Sequence, residues 1–157
     1  MLKFSYAASF GTSEWEFTPE QTNVCRALIN QFQGVSVRED SGVALCEEHF
    51  GIQAQWVLDP TFLLSSSHYE SLCKDIPIVE KNVFAYLLDV SPDKKAFVQK
   101  IARQLGLKTV IISAGVDMNP RDCPERWIAN FRDAAFVITD SFHGTAFSII
   151  FRRDFLT

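Results

Sequence analysis

Short apolar runs alternate along this chain with stretches whose apolar residues recur every three to four positions, and few folds accommodate that order. Six runs read as strands, at residues 4–8, 35–38, 55–58, 83–89, 109–113 and 136–139. Thr18-Pro19-Glu20-Gln21 is a capping box with proline at the first helical position. The helix it opens carries Val24, Cys25, Leu28, Ile29 and Phe32 at the period of one face. Ser91-Pro92 starts another, with Phe97, Val98, Ile101, Ala102 and Leu105 as its stripe, and Trp127, Ile128 and Phe131 predict a third after Pro124. Gly34, Gly51 and Gly106 each follow a helical stretch and precede a strand, where a left-handed cap is expected. Strand and helix in strict alternation with short connections imply an α/β fold, a Rossmann-like parallel sheet flanked by helices. Only residues 65–82 give weak signals of either kind.

A length of 157 residues suits a single domain spanning 1–157. The net charge of −4, with no Lys/Arg cluster, argues against a nucleic-acid partner, which needs a basic face to release counterions. No apolar stretch reaches the length of a membrane span, and "MLKFSYAASFG" lacks the apolar core of a signal peptide, so the expected location is cytoplasmic. Cys25, Cys46, Cys73 and Cys123 are widely spaced, with no C-x-x-C, and are expected to be reduced thiols, Cys25 and Cys46 on helical apolar faces. No metal site is expected.

In open parallel sheets ligands bind beyond the carboxyl ends of the strands. The residues there are Ser9-Phe10-Gly11, Arg38-Glu39-Asp40, Asp59-Pro60, Asp89 and Asp140-Ser141-Phe142-His143-Gly144, expected along one rim. Arg38 has two readings: a guanidinium fork for a carboxylate or phosphate, or a salt bridge to Glu39, Asp40 or Asp59. His143 precedes Gly144 and Thr145, where a helix is expected to begin, so it stands at an anion-binding helix start or serves as a cap there. Asp140 orients His143 or Ser141, or caps the turn. The three polar side chains are too close in sequence for a hydrolase triad, and G-x-S-x-G, G-x-G-x-x-G and the P-loop are absent. His49 and His68 are expected at the surface without a role.

"KFSYAASFG", "VSVREDSG", "WVLDPTFLL", "YLLD" and above all "FVITDSFHGTAFSIIF" resemble, in order and spacing, the polysaccharide pyruvyl transferase family over nearly the whole chain. The resemblance implies a fold similar to two-domain glycosyltransferases, with Rossmann-like halves facing across a cleft. It implies transfer of pyruvate from phosphoenolpyruvate to sugar hydroxyls, forming a ketal in exopolysaccharide or cell-surface glycan synthesis, with no cofactor and no metal. Carried over, His143 and Arg38 are catalytic or phosphoenolpyruvate-binding groups, with Glu39 and Asp140 catalytic beside them. Ser141 and Gly144 shape the same pocket, Asp59 supports the opposite wall, and Ser9 and Gly11 lie near the crossover between halves. The partners implied are phosphoenolpyruvate and a saccharide or lipid-linked acceptor, with peripheral association to membrane-bound glycan machinery and a homodimer. The family is longer, so this chain is expected to be its C-terminal, donor-binding part and inactive alone. Arg153-Asp154 also departs from the family's basic residue and proline. The alternatives are a nucleotide-sugar glycosyltransferase half-domain and a non-catalytic Rossmann-like binding module.

Overall fold

The computed structural model describes residues 2–113 and 123–157. The chain divides into two compact units, Met1–Leu63 and Leu64–Thr157, each with its own parallel sheet.

In the first unit the order is β1 (Phe4–Ala8), α1 (Pro19–Ile29), β2 (Gly34–Val37), α2 (Asp40–Phe50), β3 (Gln55–Trp56) and a 3-10 turn at Pro60–Leu63. Strands stand in the order β1-β2-β3, all parallel. Both crossovers step the same way, and a right-handed connection then puts both helices on one face. Ile29 of α1 and Cys46 and Phe50 of α2 accordingly pack in one cluster with Val35 and Val37 of β2. The other face is open. Phe4 and Tyr6 are 67% and 50% exposed, over a shallow cavity of about 470 Å³ that Gln33, Gln53 and Gln55 also line.

β1 carries a bulge. Its register with β2 shifts between Ser5 and Ala8, and Ala7 takes a left-handed φ of 52° without being glycine. Ser36 pins it: its Oγ accepts from the Ala7 N–H at 3.0 Å and donates to the Ser5 carbonyl at 3.2 Å. Ser36→Ala is expected to destabilise the chain by about 1 kcal/mol in urea unfolding, the low end for orphaned groups because water reaches an edge strand.

In the second unit the order is α3 (Ser66–Leu72), β4 (Asn82–Leu87), α4 (Pro92–Leu105), β5 (Lys108–Ser113), α5 (Pro124–Asp133), β6 (Ala134–Thr139), α6 (Phe142–Ile150) and β7 (Asp154–Leu156). The sheet runs β5-β4-β6-β7, entirely parallel. Alternate residues of β4 feed two cores. Val83, Ala85 and Leu87 meet Val98 and Ala102 of α4 on one face. Phe84 meets Phe131 of α5, Phe147 of α6 and Tyr69 of α3 on the other.

The α/β expectation holds, with strands shared between two sheets. Several local expectations need correction. Gly51 and Gly106 are left-handed caps, at φ 70° and 67°. Gly34 is not: α1 ends at Asn30 in a right-handed cap, and Gly34 opens β2. A Cβ there would sit 3.2 Å from the Phe4 ring, so the constraint comes from the neighbouring strand. The α1 stripe is mostly solvated: Val24, Cys25, Leu28 and Phe32 are exposed, so Cys25 is no core thiol, while Cys46 and Cys73 are buried. The 55–58 run is a strand only at Gln55–Trp56, α6 begins at Phe142 rather than Gly144, and β7 follows it. His49 stacks on Trp15 with ring centroids 4.0 Å apart. Among the described residues no helix is long and apolar enough to cross a membrane.

Candidate functional site

Strand order locates one crevice in the second unit. From β4 the chain steps through α4 to β5 on one side; from β6 it steps through α6 to β7 on the other. Adjacent strands whose connections diverge form a topological switch point, and ligands of open α/β sheets bind beyond its carboxyl ends. Thr139-Asp140-Ser141-Phe142-His143-Gly144 stands at that place.

Thr139, Ser141 and Gly144 hold this corner together. Thr139 Oγ1 donates to the Tyr86 carbonyl of β4 at 2.6 Å and accepts from the Ser141 N–H at 3.1 Å. Ser141 is the N-cap of α6, its Oγ accepting from the Gly144 N–H at 3.4 Å. Gly144 packs on Thr139 so closely that a Cβ would lie 2.1 Å from Thr139 Oγ1 and 2.9 Å from its Cβ. His143 and Phe142 are exposed in the first turn, with their rings edge to face at 5.3 Å.

Asp140 neither orients His143 nor caps α6 in the bonds it makes. Its Oδ1 accepts from the Leu88 N–H at 2.7 Å and its Oδ2 from Lys94 Nζ at 2.7 Å, while Lys94 also pairs with Asp89. Partial burial acts to raise the Asp140 pKa, but the Lys94 bond, the Leu88 N–H and the Lys94 charge together outweigh it and hold the carboxyl below the usual range. The bonds to Asp140 and then Asp89 hold the Lys94 ammonium above its own. Sequence reasoning missed Lys94. Its partners lie 46 and 5 residues away, and only the former separation crosses the switch point.

The first unit gathers the other candidates at the carboxyl ends of β1, β2 and β3. Arg38 Nη1 meets Asp59 Oδ2 at 2.5 Å, and its Nε lies 3.5 Å from Glu39 Oε1. Asp59 is 3% exposed, and its Oδ1 accepts from the N–H and Oγ1 of Thr61 at 3.0 and 2.8 Å. Ser9 Oγ donates to Glu39 Oε1 and accepts from the Gly11 N–H at 3.1 Å. Of the two readings of Arg38, the salt bridge is made, to Asp59 and Glu39, while Asp40 accepts from the Ser41 N–H instead. Glu39 Oε2 is shielded from solvent and has no hydrogen-bond partner. Asn82 Oδ1 and Trp127 Nε1 share that condition.

The sites therefore fall in two groups: Ser9, Arg38, Glu39 and Asp59 in one unit, and Asp140, Ser141, His143 and Gly144 in the other. A family model for polysaccharide pyruvyl transferase matches residues 3–156, nearly the whole chain and both groups. This chain belongs to that family. No curated protein and no solved structure matches the chain. The TDSFHG corner of this family member is the start of α6 at the switch point of the second sheet.

Proposed function

We propose that this domain binds phosphoenolpyruvate and serves transfer of its pyruvyl group to sugar hydroxyls of a saccharide or lipid-linked saccharide in cell-surface glycan synthesis. The family match over residues 3–156 carries the reading. It is supported by the Ser141-capped start of α6, since a helix N-terminus favours a phosphate or carboxylate.

In the reaction, a proton is added to the methylene carbon of phosphoenolpyruvate, leaving positive charge on the neighbouring carbon. A sugar hydroxyl attacks that carbon and loses its proton; the C–O bond to phosphate breaks and phosphate leaves. A second hydroxyl then attacks, loses its proton and closes the cyclic ketal. His143, exposed in the first turn of α6, is the phosphate ligand and general acid. Arg38, fixed in one orientation by Asp59 and Glu39, is the fork for a donor carboxylate or phosphate. Between Glu39 and Asp140 as base, Glu39 is the better candidate. Both Asp140 oxygens accept strong donors, whereas Glu39 Oε2 has none.

A second reading, a non-catalytic binding module, is favoured by one observation: Arg38 is already paired with Asp59 and Glu39, as in a structural ion pair. Thermal-shift titration at fixed ionic strength separates the two. Phosphoenolpyruvate at about a hundred times its dissociation constant should add roughly 2.7 kcal/mol. The same gain should be absent with inorganic phosphate or a nucleotide sugar, and absent in Arg38→Ala and His143→Ala. Equal silence towards all three ligands would overturn the donor-binding reading.

A further inference from the structure

We propose that Lys94 is a positioning residue that braces Asp140, and with it the start of α6, against the end of β4. Its consequence for ligand binding rests on the phosphoenolpyruvate reading above. β4 and β6 are in register as far as Tyr86 and Thr139, and beyond that pair their chains part towards α4 and α6. Past the ladder, side chains must hold the two loops together. Thr139 Oγ1 reaches the Tyr86 carbonyl at 2.6 Å, and Asp140 then spans the gap with both oxygens, one on the Leu88 N–H and one on Lys94 Nζ, each at 2.7 Å.

Lys94 is itself fixed. Its backbone N–H is held by the Ser91 N-cap at 3.2 Å, and its ammonium pairs with Asp89 from the same β4–α4 loop. Its side chain lines a cavity of about 260 Å³ with Leu87, Phe97, Ile138 and Leu156. One ammonium against two carboxylates leaves the cluster net negative, so it does not recruit an anion. It is a brace between two loops, and α6 carries Ser141 and His143 immediately after the braced residue. With the Lys94 and Asp140 side chains 39% and 33% exposed, such a pair contributes little to global stability. The brace is therefore visible locally and not in the unfolding midpoint.

The experiment uses the whole chain with Lys94→Met and Lys94→Arg, read by amide hydrogen exchange at Leu88 and Gly144, by calorimetric titration with phosphoenolpyruvate and by thermal unfolding. In Lys94→Met the Leu88 and Gly144 amides should exchange faster and phosphoenolpyruvate should bind about tenfold more weakly, a change of about 1.4 kcal/mol. The unfolding midpoint should stay near wild type, and Lys94→Arg should restore both readouts. Unchanged exchange in Lys94→Met, or no recovery in Lys94→Arg, overturns the brace. Weaker binding with unchanged exchange also overturns it, since Lys94 would then act on the ligand directly. Faster exchange in a chain whose wild type does not bind phosphoenolpyruvate would sustain the brace and sink the ligand reading instead.

Discussion

Asp133→Ala should destabilise the second unit by about 3–5 kcal/mol, the range for removing one member of a buried ion pair. Asp133 is 5% exposed and Arg132 lies beside it. Arg132 Nε meets Asp133 Oδ1 at 2.7 Å and its Nη2 meets Oδ2 at 2.9 Å, a two-pronged contact. Both groups have further work. Arg132 donates to the carbonyls of Cys73 and Ile76 at 3.0 and 3.2 Å, and Asp133 Oδ2 accepts from the Val79 N–H at 3.1 Å. The pair thereby clamps the connection from α3 to β4 onto the end of α5. Removing the carboxylate strands a guanidinium and a backbone N–H together, and a shortened side chain admits little water to replace them. Urea unfolding followed by fluorescence checks it, because Trp127 packs on Phe131 at 4.7 Å in the same core. A loss below about 1 kcal/mol, the worth of an exposed pair, would show that the clamp is not formed.

Gly144→Ala should cost about 3 kcal/mol, the upper end for overpacking. The sign is what makes the result decisive, since glycine to alanine inside a solvated helix ordinarily stabilises by nearly 1 kcal/mol. The added Cβ would stand 2.1 Å from Thr139 Oγ1. Rotating Thr139 does not relieve the clash, because its Cβ remains at 2.9 Å and its hydroxyl would leave the Tyr86 carbonyl and the Ser141 N–H. The helix start must shift instead, carrying His143 with it. Thr139→Ala/Gly144→Ala, compared with both single variants, gives the coupling. The double variant should lose less than the sum, and strict additivity would place the damage elsewhere than in the Thr139 contact.

Local chemistry was the legible part of this fold. The Thr18 capping box and the Ser91 cap depend on residues three positions apart, and both form as the spacing predicts. The Ser-Phe-His-Gly corner was legible as a helix start for the same reason, although the cap is Ser141 and the helix opens two residues earlier than Gly144 suggests. What could not be read depends on neighbours distant in sequence. Gly34 is constrained by Phe4 of the adjacent strand, Lys94 by a carboxylate on the far side of the switch point, and Val24 and Leu28 are solvated because α1 presents other residues to its sheet. β7 spans only Asp154–Leu156, too few residues for a period-two pattern to register. The division of strands between two sheets likewise follows from pairing, which no single segment encodes.

The Ser36-pinned bulge also bears on how this chain behaves in a crowded solution. In its sheet β1 is an outer strand, with one line of amide and carbonyl groups facing away from β2. A flat outer strand is a template for a foreign strand to add to, which is how fibrils grow. The left-handed turn at Ala7 interrupts that line, so an arriving strand finds at most Phe4, Ser5 and Tyr6 in continuous register before the backbone twists away. The opposite outer strand, β3, offers only two residues. One hydroxyl on the middle strand thus limits the length of regular edge that β1 offers to another strand.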